Sequence, residues 1–162
     1  MWWVRRSVTL AAVRLSLQVQ YAVCGAFDLA YNGHGEPVQV RVISERQGVP
    51  TRYLEQIFVR LRRAGLVHSK RGPGGGYTLA RPAGTISLRE VVEAVEGPLA
   101  ETIAMNDEAP LAARGRRPDF VWSDLAGRLA EALEQTTLED LCREALRRQL
   151  PREEGEAPMY FI

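Results

Sequence analysis

Residues 50–81 read PTRYLEQIFVRLRRAGLVHSKRGPGGGYTLAR, an arginine-rich segment that leads into two short apolar runs around a glycine-rich loop. Leu54, Ile57, Phe58 and Leu61 recur at i, i+3, i+4 and i+7, the spacing of a single apolar stripe on a helix. Arg52, Glu55, Gln56, Arg60, Arg62 and Arg63 fall off that stripe and are expected to face solvent. Residues 67–71 and 77–81 then read as two strands joined by the loop 72–76. An arginine-bearing helix followed at once by a hairpin is the reading half of a winged helix.

Upstream, Ser16 is placed to cap a helix containing Tyr21, Cys24, Phe27 and Tyr31, with Asn32 and Gly33 as its left-handed stop. A short extended piece at 37–40 precedes a second helix over 41–47, with Val42 and Ile43 inward. Gly48 makes the turn, and Pro50 suits the first position of the third helix because its missing N–H would go unpaired there anyway. Helix, tight glycine turn, helix is the helix-turn-helix pattern.

Downstream, Ser87-x-x-Glu90 is a capping box for a helix with Leu88, Val91, Val92 and Val95 on one face, and Gly97-Pro98 stops it. Residues 99–118 lack a steady period, contain Pro110, Gly115 and Pro118, and are expected to form a loop. From Asp119, the residues Trp122, Leu125, Leu129, Ala132 and Leu133 form a long helical stripe. A helix after so long a loop has little of the winged core left to cover, so Trp122, Leu125, Leu129 and Leu133 are expected to pair with a second copy. Thr136-x-x-Glu139 reads as a further capping box, for a helix with Leu138, Leu141, Cys142 and Ala145 inward, and the tail from Pro151 is acidic and ends in PMYFI.

Charge divides along the same line. Residues 1–97 carry 13 Lys+Arg against 7 Asp+Glu, and residues 98–162 carry 8 against 13, within an overall charge of +1. The front half suits a polyanion and the back half does not. Cys24 and Cys142 sit among apolar neighbours and read as reduced core thiols of a cytoplasmic protein. No run approaches the roughly 20 apolar residues of a membrane helix.

Several chemistries are poorly supplied. The glycine loop lacks the following helix and the Lys-Ser/Thr pair of a phosphate-cradling loop. Neither His34 nor His68 has a nucleophile at a defensible spacing, which argues against an enzyme, and two cysteines 118 positions apart match no zinc-ligand spacing. As a wing tip the loop fits better: Gly74 and Gly75 allow close backbone approach, while Lys70 and Arg71 can meet phosphates or the minor groove. Arg52, Glu55 and Gln56 lie on the turns that meet base edges in a major groove, where Arg pairs with guanine, Gln with adenine and Glu with the cytosine amine. Thr51 and Tyr53 offer hydroxyls to phosphates. Glu55 has a local alternative in an ion pair with Arg62 or Arg63.

Taken together, VRLSLQVQYAV, YLEQIFVRLRRAGLVHSKRGPGGGYTLAR, ISLREVVEAVEGP and TTLEDL resemble the Rrf-type family of bacterial winged-helix transcriptional regulators, over roughly residues 13–141. The resemblance implies a dimeric cytoplasmic transcription factor, usually a repressor; a two-fold dimer would present its two recognition helices to double-stranded DNA at a pseudo-palindromic operator. It implies base reading by Arg52 and Glu55, with Tyr53 and Gln56 beside them and Arg71 in the wing. The expected fold is mainly α with a small β wing. A winged helix-turn-helix domain (13–98) would be followed by the loop 99–118, a dimerisation helix and short C-terminal helix (119–150) and an acidic tail (151–162).

Two features depart from the family. Cluster-binding members carry three cysteines in the loop after the EGP motif, and residues 99–118 contain none, so an iron–sulphur cluster is not expected. Members also tend to begin with an MRLS-like tetrapeptide, whereas VRLS here starts at Val13, so residues 1–12 are expected to be a mis-called extension or a disordered arm. The rival reading is a protein-interaction module that keeps the fold but regulates a partner enzyme through residues 99–162, without specific DNA binding.

Overall fold

A computed structural model describes residues 15–102 and 117–153. The expectations for residues 1–12 and for the PMYFI ending lie outside the described residues, as does most of the 99–118 segment.

The first helix, α1 (Leu17–Asn32), starts where Ser16 Oγ accepts from Val19 N at 3.3 Å. Val19, Ala22, Ala26 and Leu29 form its buried stripe, and Gly25 lets it approach α3 until Phe58 and Leu54 would touch any added Cβ. The stop differs from expectation. Gly33 keeps right-handed geometry (φ −77°), and the left-handed residues are His34 (49°) and Gly35 (82°). The helical bond from Gly33 N to Leu29 O simply continues, so the chain reverses one residue later.

Helix α2 (Val40–Gln47) buries Ile43 and ends at left-handed Gly48, and α3 (Thr51–Arg63) buries Leu54, Ile57, Phe58 and Leu61. Pro50 stands just before α3 rather than at its first position, and its carbonyl accepts from Tyr53 and Leu54. Strands β1 (Val67–Lys70) and β2 (Gly76–Leu79) pair antiparallel, with Val67 opposite Leu79 and Lys70 opposite Gly76. A third backbone joins this hairpin, since Val38 exchanges two hydrogen bonds with Tyr77 at 2.9 and 2.8 Å. Gly76 permits the approach, because a Cβ there would collide with the Val38 carbonyl.

A 3-10 turn (Ala83–Thr85) leads to α4 (Leu88–Glu96), whose capping box has both halves: Ser87 Oγ accepts from Glu90 N, and Glu90 Oε2 accepts from Ser87 N. Residues 99–102 are not loop as expected but a helical turn, α5 (Leu99–Thr102). Leu99 is buried there and its amide donates to the Glu93 carboxylate, which closes the turn over α4.

Helix α6 (Phe120–Glu134) packs on α4 and α5, and α7 (Leu138–Arg147) packs on α1 and the 3-10 turn. The α7 cap is displaced by one from the expected Thr136/Glu139 pair: Thr137 and Asp140 form it. Thr136 is committed elsewhere, its hydroxyl donating to Ala132 O and its carbonyl accepting from Leu88 N. With Leu138 N donating to Ile86 O, these bonds stitch the α6–α7 corner to the start of α4. Leu138 is fully buried in the same core as Phe58 and Ile43, so the C-terminal helices cover much more of the winged core than the long loop suggests.

Candidate nucleic-acid interface

Helix α3 has the strongest segregation of the reading half: Leu54, Ile57, Phe58 and Leu61 are buried, while Arg52, Tyr53, Glu55 and Gln56 are exposed together on its first turns. Among the described residues, no hydrogen bond or ion pair engages Arg52, Glu55 or Gln56, and the alternative pairing of Glu55 with Arg62 or Arg63 does not form. Lys70 and Arg71 are likewise exposed and uncommitted at the wing. These five side chains are free to take partners from outside the chain.

The scaffold beneath them is held firmly. Ser44 Oγ donates to Val49 O at 2.6 Å and lies 2.8 Å from Thr51 Oγ1, which locks the α2–α3 corner. The Thr51 hydroxyl therefore belongs first to the corner. Tyr77 packs its ring 4.8 Å from that of Phe58, and Arg62 Nη1 donates to Ser69 Oγ, so β1 and β2 are tied to both faces of α3. In the wing tip Gly72 and Gly74 adopt left-handed φ values of 89° and 69°. Gly75 is buried rather than presented: its amide donates to Gly72 O, and a Cβ there would strike carbonyl oxygens of Lys70 and Gly72.

Other residues acquire roles that the sequence pattern did not single out. Arg60, expected to face solvent, is half-buried, and its guanidinium donates to Val95 O at 2.9 Å and Gln18 Oε1 at 2.7 Å. It binds α3 to α1 and α4 instead of reaching outward. Tyr21 of α1 lies with its ring 6.0 Å from that of Tyr53, beside the start of the recognition helix. A buried carboxylate, Asp28, accepts from Asn32, Arg46 and Gln47, which fixes α2 against α1.

The proposed dimer stripe is divided. Trp122 and Leu125 are exposed, at 39% and 47%, and Phe120 beside them is 68% exposed. Leu129 and Leu133 pack partly against the chain's own core. An exposed aromatic and aliphatic strip of this kind on α6 is the sort of surface that a second molecule covers.

A cluster held by three loop thiolates does not fit this chain. Its two cysteines are in α1 and α7, outside residues 99–118, and among the described residues no group of three His, Cys, Asp or Glu side chains could hold a metal ion. Both thiols are free and half-buried, and burial raises the pKa of each, opposed at Cys142 by the charge of Arg152. No described helix is long and apolar enough to cross a membrane.

A recognition helix with unpaired arginine, glutamate and glutamine, flanked by a basic wing, defines a winged-helix DNA-binding transcriptional regulator. The chain belongs to the Rrf2 family, described as iron-dependent transcriptional regulators, whose model matches residues 15–144. It is similar to the HTH-type transcriptional regulator IscR of Citrobacter koseri, at 41% identity over 129 residues, 80% of this chain and 79% of that protein. Among solved structures, T. potens IscR superposes with a TM-score of 0.67 at 32% identity, covering 93% of this chain and 98% of the other. CymR, the global cysteine regulator of B. subtilis, superposes with a TM-score of 0.65 at 31% identity, covering 82% and 98%.

Proposed function

We propose that the chain acts in the cytoplasm as a homodimeric repressor of a pseudo-palindromic operator and does so without the usual iron–sulphur cluster. Arg52, Glu55 and Gln56 read base edges in the major groove, the Tyr53 hydroxyl meets a phosphate while Thr51 holds the corner beneath it through Ser44, and Lys70 and Arg71 neutralise phosphates from the wing. Gly74 forms the tip that nears the sugar-phosphate, and Gly75 shapes it from within. The observation that carries this reading is the exposure of five uncommitted polar side chains on an otherwise tightly bonded corner. Two copies joined through Trp122 and Leu125, with Leu129 and Leu133 at the edge of the seam, would present two recognition helices about one helical turn, or a multiple of it, apart.

Fluorescence anisotropy on the duplex upstream of the protein's own gene, against a scrambled duplex, tests the assignment. Arg52→Ala weakens the cognate duplex by about 1–3 kcal/mol and relaxes sequence preference, whereas Lys70→Ala weakens both duplexes alike and lowers the salt slope by about one. Equal loss on both duplexes for both variants removes base reading by α3. Sedimentation of Leu125→Glu tests the α6 seam, with a shift to monomer expected.

A further inference from the structure

Beyond α7 the chain does not leave the domain. Gln149 adopts φ 56°, a left-handed conformation that a non-glycine residue holds only when its surroundings fix it, and it turns residues 150–153 back along the end of α1. The contacts there are dense for four residues. Tyr31 donates its hydroxyl to Leu150 O at 3.0 Å, Arg152 Nε donates to Tyr31 O at 2.8 Å, and the Arg152 guanidinium stands 5.3 Å above the Tyr31 ring. Glu153 N donates to Asn32 Oδ1 at 3.0 Å, and Glu153 O pairs with His34 Nε2 at 3.0 Å. The Glu153 carboxylate lies 3.8 Å from Arg46 Nε, and Arg46 is the residue that reaches buried Asp28 at 3.1 Å.

These contacts form a continuous chain from the C-terminal helix to the recognition helix. Residues 150–153 bond to the buried Tyr31 and Asn32 at the end of α1; Asn32 and Arg46 pass the connection to Asp28; Asp28 fixes α2; and the Ser44 corner joins α2 to α3. We propose that residues 150–153 are a positioning strap that sets the angle of the helix-turn-helix and so couples the state of α7 to operator affinity. The proposal rests on the DNA-reading role of α3. A partner or modification that lifted the strap would weaken specific binding without touching any DNA-contacting side chain, because only the α2–α3 body would be released.

The test uses the full chain carrying Arg152→Ala and Glu153→Pro together, which removes the bonds to Tyr31 O and Asn32. Affinity for the upstream duplex should fall about tenfold, the size of a typical coupling between sites. Binding to scrambled DNA and the sedimentation profile should stay as in the unaltered chain. Hydrogen exchange should quicken in residues 40–47 while residues 88–96 keep their protection. Unchanged exchange over 40–47, or equal losses on both duplexes, overturns the proposal. Tyr31→Phe, which removes only the hydroxyl bond to Leu150, should move both readouts in the same direction by less, and it decides the matter if the double variant does not fold. If the unaltered chain fails to prefer its upstream duplex, base reading fails on its own account, and exchange over 40–47 still judges the strap.

Discussion

Leu138→Ala separates two views of the C-terminal half. If α7 were an arm serving only a second subunit, truncating this side chain would cost the single chain little. In the structure Leu138 is fully buried, and its amide is bonded to Ile86 beneath the start of α4. Removing its terminal isopropyl group loses the transfer energy of the buried atoms and leaves a cavity. The stitch to Ile86 and the capped start of α7 prevent the walls from closing on that cavity. The expected cost is about 3 kcal/mol, within the roughly 2–5 kcal/mol of such truncations. That is a large fraction of the roughly 5–15 kcal/mol that holds a domain together, and for a chain of this length it lowers Tm by about 6–12 °C. Urea unfolding followed by circular dichroism, at one fixed protomer concentration so that assembly does not shift the midpoint, measures it. Leu125→Ala is the internal control, since Leu125 is half exposed in the single chain and its loss should bear on assembly more than on folding. A cost below about 1 kcal/mol for Leu138→Ala, or one no larger than that of Leu125→Ala, would show that α7 is not part of the cooperative core.

Gly75→Ala should distort the wing tip, because its Cβ would meet Gly72 O at 2.7 Å, and DNA affinity should fall on cognate and scrambled duplexes alike while Tm changes little. Acid should loosen α7 first. Asp140 is held below the usual carboxylate range by the Thr137 amide and hydroxyl, and Glu144 by Arg148, so both contribute stability above their unfolded-state values that is lost as pH falls through the folded ones. Titrating Tm downward in pH for the unaltered chain and for Asp140→Asn checks this, the variant showing the shallower loss. Because burial raises Cys24 and Cys142, iodoacetamide at neutral pH should modify both more slowly than a model thiol and speed up on unfolding in urea.

Much of the reading half was legible because its signals are local. The stripe Leu54, Ile57, Phe58, Leu61 and the Ser87–Glu90 box depend on neighbours three or four residues away, which periodicity records directly. The wing was legible from its glycines, though β1 stops one residue short of the expected 67–71 and β2 starts one residue before and ends two residues before the expected 77–81. What stayed hidden depends on residues far apart in the chain. Arg60 reads as one more surface arginine until Val95, 35 positions on, is brought beneath it. The displacement of the α7 cap from Thr136 to Thr137 follows from the demand of Leu88 for the Thr136 carbonyl. Arg152 carried no pattern at all, because Tyr31 lies 121 residues away, and Asp28 gains Arg46 and Gln47 only once α2 folds against α1.

The stitch between the start of α4 and the α6–α7 corner also bears on synthesis. A nascent chain that ends at residue 100 already contains the recognition helix and the wing, yet Ile86 and Leu88 still lack the backbone partners that come from Thr136 and Leu138. Domains complete their folding only once the last element of the cooperative unit has emerged. A transcript cut short before the codon for Leu138 therefore yields a polypeptide with an open flank, a substrate for proteolysis rather than a truncated competitor for promoter sites.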